Sequence, residues 1–309
     1  MNVLITGGAG YIGTTLTTQL LNAGHNVTVY DCLKFGGNQL IPFFRNPNFT
    51  FVKGDVRDHT ELERHVTRAD VVVHLAAIVG YPACSKEPVL ASQVNVDATR
   101  ALAAMTSKDQ LVLLGSTGSN YGTLVDQVCT EETPLAPLSH YGRTKTEAEK
   151  IVMNETTAVA YRFATAFGIS PRLRLDLLIN DFVSRALNDR YIVVYESHFM
   201  RTFIHVHDIA RSFVFAINNR DTMQHNVYNV GSNSLNRSKG EICEIIKSKI
   251  DYFLHKADYE KDVDARNYVV SYDKIATTGF ETTITIEDGI DELIKTIPAI
   301  DTYSPFRNV

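Results

Sequence analysis

Residues 3–13 read VLITGGAGYIG, an apolar run that meets Gly7, Gly10 and Gly13 in the spacing G-x-x-G-x-x-G and passes at once into a helical pattern. Strand, glycine turn and helix in immediate succession form the phosphate-cradling corner of a dinucleotide-binding unit. The glycines permit a tight turn and bring bare backbone N–H groups up to a diphosphate at the positive end of a helix, and Gly13 lets that helix pack closely on the sheet. Tyr11 and Ile12 lie inside the same turn and join the three glycines as candidate cofactor contacts. Asp31 follows 18 residues after Gly13, at the end of the second apolar run. A carboxylate there binds both ribose hydroxyls and repels a 2′-phosphate. No arginine directly follows it, so NAD is expected rather than NADP. Asp55 and Val56, after the third apolar run, are candidates for the adenine edge; the alternative for Asp55 is a helix cap.

Apolar runs at 3–6, 27–31, 49–53, 71–75, 111–115 and 159–163 alternate with helix-length segments such as 12–23 and 88–105. Several runs (VVVHL, LVLL) are continuous rather than alternating, as strands covered on both faces require. The expected fold is α/β, a Rossmann-type doubly wound parallel sheet spanning 1–164, with a second, smaller mixed α/β domain over 165–309. In the second part the rhythm weakens, and strand-like pieces at 191–195 and 202–205 mix with helical ones. Thirty Lys and Arg against 35 Asp and Glu give a net charge of -5, which leaves no field for a polyanion, so nucleic acid is not an expected partner. Cys32, Cys84, Cys129 and Cys243 show no CxxC spacing, so neither a zinc site nor a disulfide framework is expected. His205 and His207 have a possible ligand spacing but sit on a strand-like alternation, and no metal is expected. The first residues carry no basic and apolar leader, and no run of about 18 apolar residues occurs. A cytoplasmic chain without a membrane partner is the expectation.

Tyr141 and Lys145 lie four apart, one above the other on a helix face. A phenol is a poor base at neutral pH, but an adjacent ammonium and a positive nicotinamide ring both favour its phenolate. Tyr141 is then a candidate base for an alcohol whose carbon loses hydride, and Lys145 also a candidate to hold the cofactor ribose. Thr117 follows the fifth apolar run, where a doubly wound sheet places its ligand crevice, and its hydroxyl suits a shared hydrogen bond with the reacting oxygen.

Together TGGAGYIG, Asp31, GDV at 54–56, HLAA at 74–77, STGSNYG at 116–122 and YGRTK at 141–145 resemble the extended short-chain dehydrogenase/reductase family, the NAD-dependent nucleotide-sugar epimerases and dehydratases. Weaker echoes are Arg201 in MRTFIHVHD, Asn229 in YNVGS and Arg266 in DARNY. The resemblance implies Thr117, Tyr141 and Lys145 as the catalytic set, and Leu75, Ala76 and Ala77 beside the cofactor. It implies Val79, Tyr81, Thr117, Thr165, Asn180, Arg201 and Arg266 on the nucleotide sugar, the two arginines on its diphosphate. The residues after 164 then form the nucleotide-sugar-binding domain, with 203–217 returning a strand and helix to the first. A homodimer through helices 88–105 and 141–152 is also implied, although sheet packing alone has use for their apolar residues.

Departures from the family narrow the chemistry. Members that eliminate water place acidic residues directly after the threonine, whereas this chain has Gly118 and Ser119. Uronic-acid decarboxylases keep a glutamate, and 3,5-epimerases a cysteine, where Ser119 stands. Thr165 replaces an asparagine that touches substrate in many relatives. The stretch 170–177 with Asn180 resembles a subgroup that includes GDP-heptose 4-dehydrogenases. The expectation is oxidation of a nucleotide sugar at C4 with hydride passed to NAD, foremost as a 4-epimerase. The alternatives are a 4-dehydrogenase releasing the ketosugar, a 4-keto reductase, and a relative that binds NAD without turnover.

Overall fold

The structure is a computed structural model that describes residues 1–122, 128–257 and 268–300. Seven parallel strands form the main sheet in the order Asn226–Val230, Ala158–Phe163, Leu111–Thr117, Val71–His74, Asn2–Thr6, Asn26–Asp31 and Phe49–Lys53. The strand order reverses between Asn2–Thr6 and Val71–His74, and a crevice opens there beyond the carboxyl ends of the strands. The α/β doubly wound fold read from the sequence is present.

Each central strand buries both faces, which explains the continuous apolar runs. Val3 and Ile5 point into one core with Leu16 and Leu20 of the helix Tyr11–Asn22 and with Ile209 and Phe213 of the helix Val206–Asn218. Leu4, Val72 and Val112 point into the opposite core with Leu62, Leu102 and Ala148, from helices His59–Val66, Ala98–Met105 and His140–Glu155. The helical stretch 88–105 is not uniform: Pro88–Ser92 passes through a π-helical turn, Gln93–Asp97, into Ala98–Met105.

A second core gathers Phe167, Ile179, Val183, Phe203, Ile242 and Ile290. Around it lie a three-stranded sheet (Asn236–Ser238, Met200–His205, Thr165–Phe167) and the parallel pair Tyr191–Tyr195 with Phe253–Ala257. Within the segment 203–217, the helix lies against Tyr11–Asn22, but the strand pairs with Thr165–Phe167 and not with the main sheet. Asn226–Val230 fills the edge position instead, registered in parallel on Ala158–Phe163.

The glycine turn shows why the first helix lies so close to its strand. Gly7 has φ +73°, and a Cβ there would lie 2.6 Å from the Ala76 nitrogen. A Cβ on Gly13 would lie 2.5 Å from the Gly8 Cα and 2.6 Å from the Gly7 carbonyl, all rigid backbone. Gly13→Ala is therefore expected to lower stability by about 1–3 kcal/mol through overpacking. Urea denaturation checks this; an unchanged midpoint would refute the close packing.

Candidate active site

A cavity of about 800 Å³ lies at the carboxyl ends of the strands. Its walls bring together most of the residues singled out in the sequence: Gly7, Gly10, Tyr11, Ile12 and Gly13 from the first turn, Asp31, Asp55 and Val56 from the next two strand ends, and Leu75, Ala76, Ala77, Val79 and Tyr81 from the fourth. Thr117, Tyr141, Lys145 and Thr165 line it too.

These walls suit a dinucleotide. The glycine turn offers bare backbone where side chains have no room. Asp31 accepts from the backbone N–H of Ala9 at 3.0 Å and of Leu33 at 2.7 Å. Burial raises its pKa, while those two N–H groups and Arg172 favour the charged form. Asp55 is not a helix cap: Asp58 caps His59–Val66 by accepting from the Glu61 N–H. Asp55 instead grips Arg57 at 3.0 and 2.6 Å, which holds its carboxyl below the usual range.

The catalytic candidates come from two elements. Ser139 caps the helix His140–Glu155 by accepting from the Gly142 N–H at 3.0 Å, so Tyr141 falls in the first turn with Lys145 one turn further. Thr117 ends its strand and bonds Ser119 in both directions, donating to its hydroxyl at 3.2 Å and accepting from its N–H at 3.1 Å. Lys145 is 4% exposed. Burial pulls its ammonium down to about 8, against the opposing pull of Glu149 and Cys84. Cys84 itself is buried, donates to the Ile78 carbonyl at 3.1 Å, and is pushed up to about 11 by burial.

Buried polar groups hold this set from behind. Asn95, in the π-helical turn, clamps Ile78 by accepting from its N–H at 2.8 Å and donating to its carbonyl at 3.0 Å. It also donates to the Thr144 hydroxyl, which in turn donates to the Tyr141 carbonyl. π turns recur at functional sites because the extra residue re-aims side chains. Sequence spacing alone gives no signal for one.

Two candidates lie elsewhere. Asn180 is buried outside the cavity wall and holds backbone, accepting from the Gly168 N–H at 3.0 Å and donating to the Arg174 carbonyl at 2.8 Å. Arg201 is buried in the strand Met200–His205 and donates to the Met200 carbonyl, away from the cavity wall. Arg266 lies outside the described residues. His205 is buried with its Nε2 3.0 Å from Glu292 and its Nδ1 accepting from the His207 N–H, a helix cap. Arg172 and Arg174, noted in the sequence only as part of the stretch 170–177, line the cavity, and so does Tyr268, which was missed.

A family model described as the NAD dependent epimerase/dehydratase family matches residues 3–231. A protein of Haloferax volcanii named low-salt glycan biosynthesis protein Agl12 is 30% identical over 95% of this chain and 97% of its own. A putative UDP-glucose 4-epimerase of Methanocaldococcus jannaschii is 27% identical over the same shares. Among solved structures, a dTDP-glucose 4,6-dehydratase of Streptomyces venezuelae with NAD bound is 25% identical, covers 97% of each chain and superposes with a TM-score of 0.85. The chain belongs to the NAD-dependent epimerase/dehydratase family and is an enzyme of the extended short-chain dehydrogenase/reductase type, with NAD as its cofactor. Among the described residues no helix is long and apolar enough to cross a membrane.

The buried Lys145 gives a pH signature. Its folded pKa of about 8 lies below the usual 10.5, so between those values the unfolded chain holds more protons. Stability then rises with pH across that window. Relative to Lys145→Met, the ligand-free protein should gain on the order of 3 kcal/mol between those limits. Denaturant melts at several pH values measure it, and parallel curves for the two proteins would refute the buried ammonium.

Proposed function

We propose that this chain is a nucleotide-sugar 4-epimerase. The carrying observation is that Thr117, Tyr141 and Lys145 share one cavity with the glycine turn, while positions 118 and 119, beside Thr117, hold glycine and serine. Tyr141 takes the proton of the C4 hydroxyl as the carbon is oxidised, and returns it when the ketone is reduced on its other face. Lys145 favours the phenolate through its charge and holds the cofactor ribose. Thr117 donates to the reacting oxygen and steadies it. When bound, NAD supplies the acceptor and then the donor of hydride. With no carboxylate at 118 or 119, the cavity wall beside Thr117 has no acid and base there for loss of water across C5 and C6. That supports epimerisation over the 4,6-dehydration named for several relatives, such as a protein of Actinoplanes 29% identical to this chain.

The partner in this reading is a nucleotide sugar, with Val79, Tyr81, Thr117 and Thr165 on its sugar side. A homodimer across helices 88–105 and 141–152 belongs to the same reading. The two helices lie side by side, with Arg100 3.7 Å from Glu147 between them and Val89 70% exposed. Val94 and Leu102 are spent on the protomer core, so the shared face has more charge than the sequence suggested. Light scattering of the full chain tests this, and a monomer at all concentrations rejects it.

Incubation with UDP-, dTDP-, GDP- and CDP-sugars distinguishes the reactions. A C4 epimer without net cofactor reduction supports the epimerase; a ketosugar with stoichiometric reduction makes the chain a dehydrogenase. Tyr141→Phe should lower turnover by about 10²–10⁴-fold with NAD still bound, and retained turnover would remove Tyr141 from the chemistry.

A further inference from the structure

The stretch 170–177 reads SPRLRLDL, an alternation in which Leu173 and Leu175 turn into the second core while Arg172 and Arg174 line the cavity. Asn180 holds this strap from the core side, accepting from the Gly168 N–H at 3.0 Å and donating to the Gly168 and Arg174 carbonyls at 3.2 and 2.8 Å. Gly168 has φ +98°, and the His205 ring fills the space that a Cβ would take. Within the strap, Asp176 grips Arg174 at 2.6 Å. The strap is thus part of the framework around the second core.

Its other side closes on the cofactor-cradling turn. The Tyr11 hydroxyl donates to the Gly168 carbonyl at 2.7 Å, and the Ser170 hydroxyl donates to the Tyr11 carbonyl, also at 2.7 Å. With its single proton spent there, Ser170 can only accept from the Thr14 hydroxyl, 3.0 Å away. Further along, the Arg172 guanidinium lies over the Phe35 ring, 4.4 Å from its centroid. Tyr11 and Phe35 line the cavity, the first in the glycine turn and the second four residues after Asp31. The strap therefore meets the first core's side of the crevice at both ends of the half that suits NAD. Ser170 and Thr14 stand outside the cavity wall and act from behind it.

We propose that Ser170 is a positioning residue for NAD, whose hydroxyl latches the strap onto the glycine turn and so slows release of the bound cofactor. Bonds across a crevice must open before its contents leave, and such contacts act mainly on the rate of release. The inference rests on NAD as the cofactor and not on which sugar reaction follows, so either can fail alone.

Removing the latch strands no buried group. Without the Ser170 hydroxyl, the Thr14 hydroxyl keeps the Gly10 carbonyl at 2.9 Å, and the Tyr11 carbonyl stays in the helix ladder. Without the Tyr11 hydroxyl, the Gly168 carbonyl keeps the Asn180 amide.

Release of labelled NAD from the loaded full chain into an excess of unlabelled NAD tests the latch. Ser170→Ala should speed release by roughly 2- to 10-fold, the worth of one neutral hydrogen bond, with one NAD still bound per chain. Tyr11→Phe, which removes the other bond across the crevice, should speed it by a similar factor and serves alone if Ser170→Ala does not fold. Ser170→Thr keeps a hydroxyl and should release NAD more slowly than Ser170→Ala. An unchanged release rate in Ser170→Ala would overturn the assignment. So would a fall in the fraction of chain that binds NAD with the release rate unmoved, which is the mark of a merely structural residue.

Discussion

A buried ion pair between Glu149 and Arg162 ties the catalytic helix to the sheet. The two side chains are 5% and 6% exposed and meet at 2.6 Å. Glu149 also accepts from the Ser116 hydroxyl at 2.6 Å, one residue before Thr117, and from Asn120. Arg162 donates onward to the Tyr121 hydroxyl and the Glu131 carbonyl, and Tyr121 donates to Asn229. Two charges in so dry a place are tolerated because nearly every donor and acceptor finds a partner; breaking such a pair from one side costs about 3–5 kcal/mol. Against a total stability of about 5–15 kcal/mol, that is a strong constraint. Through Arg162 and Ser116, Glu149 links the helix that carries Tyr141 and Lys145 to two neighbouring strands, one of which ends at Thr117. The placing of these candidate residues thus depends on a contact outside the cavity wall.

That constraint also shapes the electrostatics of Lys145. Its ammonium lies on the same helix, one turn before Glu149, and the carboxylate favours its charged form. That help does not cancel the cost of burial, and the ammonium drops to about 8. A lysine poised near neutral pH can release or keep its proton as the neighbouring phenol changes charge. Burial acts on His74 in the same direction and further. Flanked by the hydroxyls of Thr6 and Thr99 and facing Lys145, it is pushed down to about 3 and stays neutral, a packing group between the first and fourth strands.

What was legible in the sequence was what local pattern encodes. The glycine turn, the continuous apolar runs and the Tyr141 and Lys145 spacing each depend on residues close in the chain, and the main sheet and one wall of the cavity follow from them. The edge strand Asn226–Val230 was read only as a motif around Asn229, because its place depends on pairing with residues 67 positions earlier. Asn180 and Arg201 were assigned to substrate by likeness; the structure places the first on backbone and the second inside a strand. Arg172 was read only as part of the stretch 170–177, because its stacking on Phe35 joins residues more than 130 positions apart. Apolar residues on the helix 88–105 could equally have faced a partner or the sheet, and only packing separates Val94, which is buried, from Val89, which is not.

The wall beside Thr117 carries the reaction choice into three dimensions. A Cβ on Gly118 would lie 3.3 Å from the Phe163 carbonyl and 3.4 Å from the Tyr268 hydroxyl, so the space next to that residue is already taken. Tyr268 reaches it from the far end of the chain and packs edge-on against Tyr121, itself held by Arg162 and Asn229. A side chain at 118 would start in close contact with a backbone oxygen and a phenol. Gly118 thus sits closely between the end of the strand Ala158–Phe163 and Tyr268.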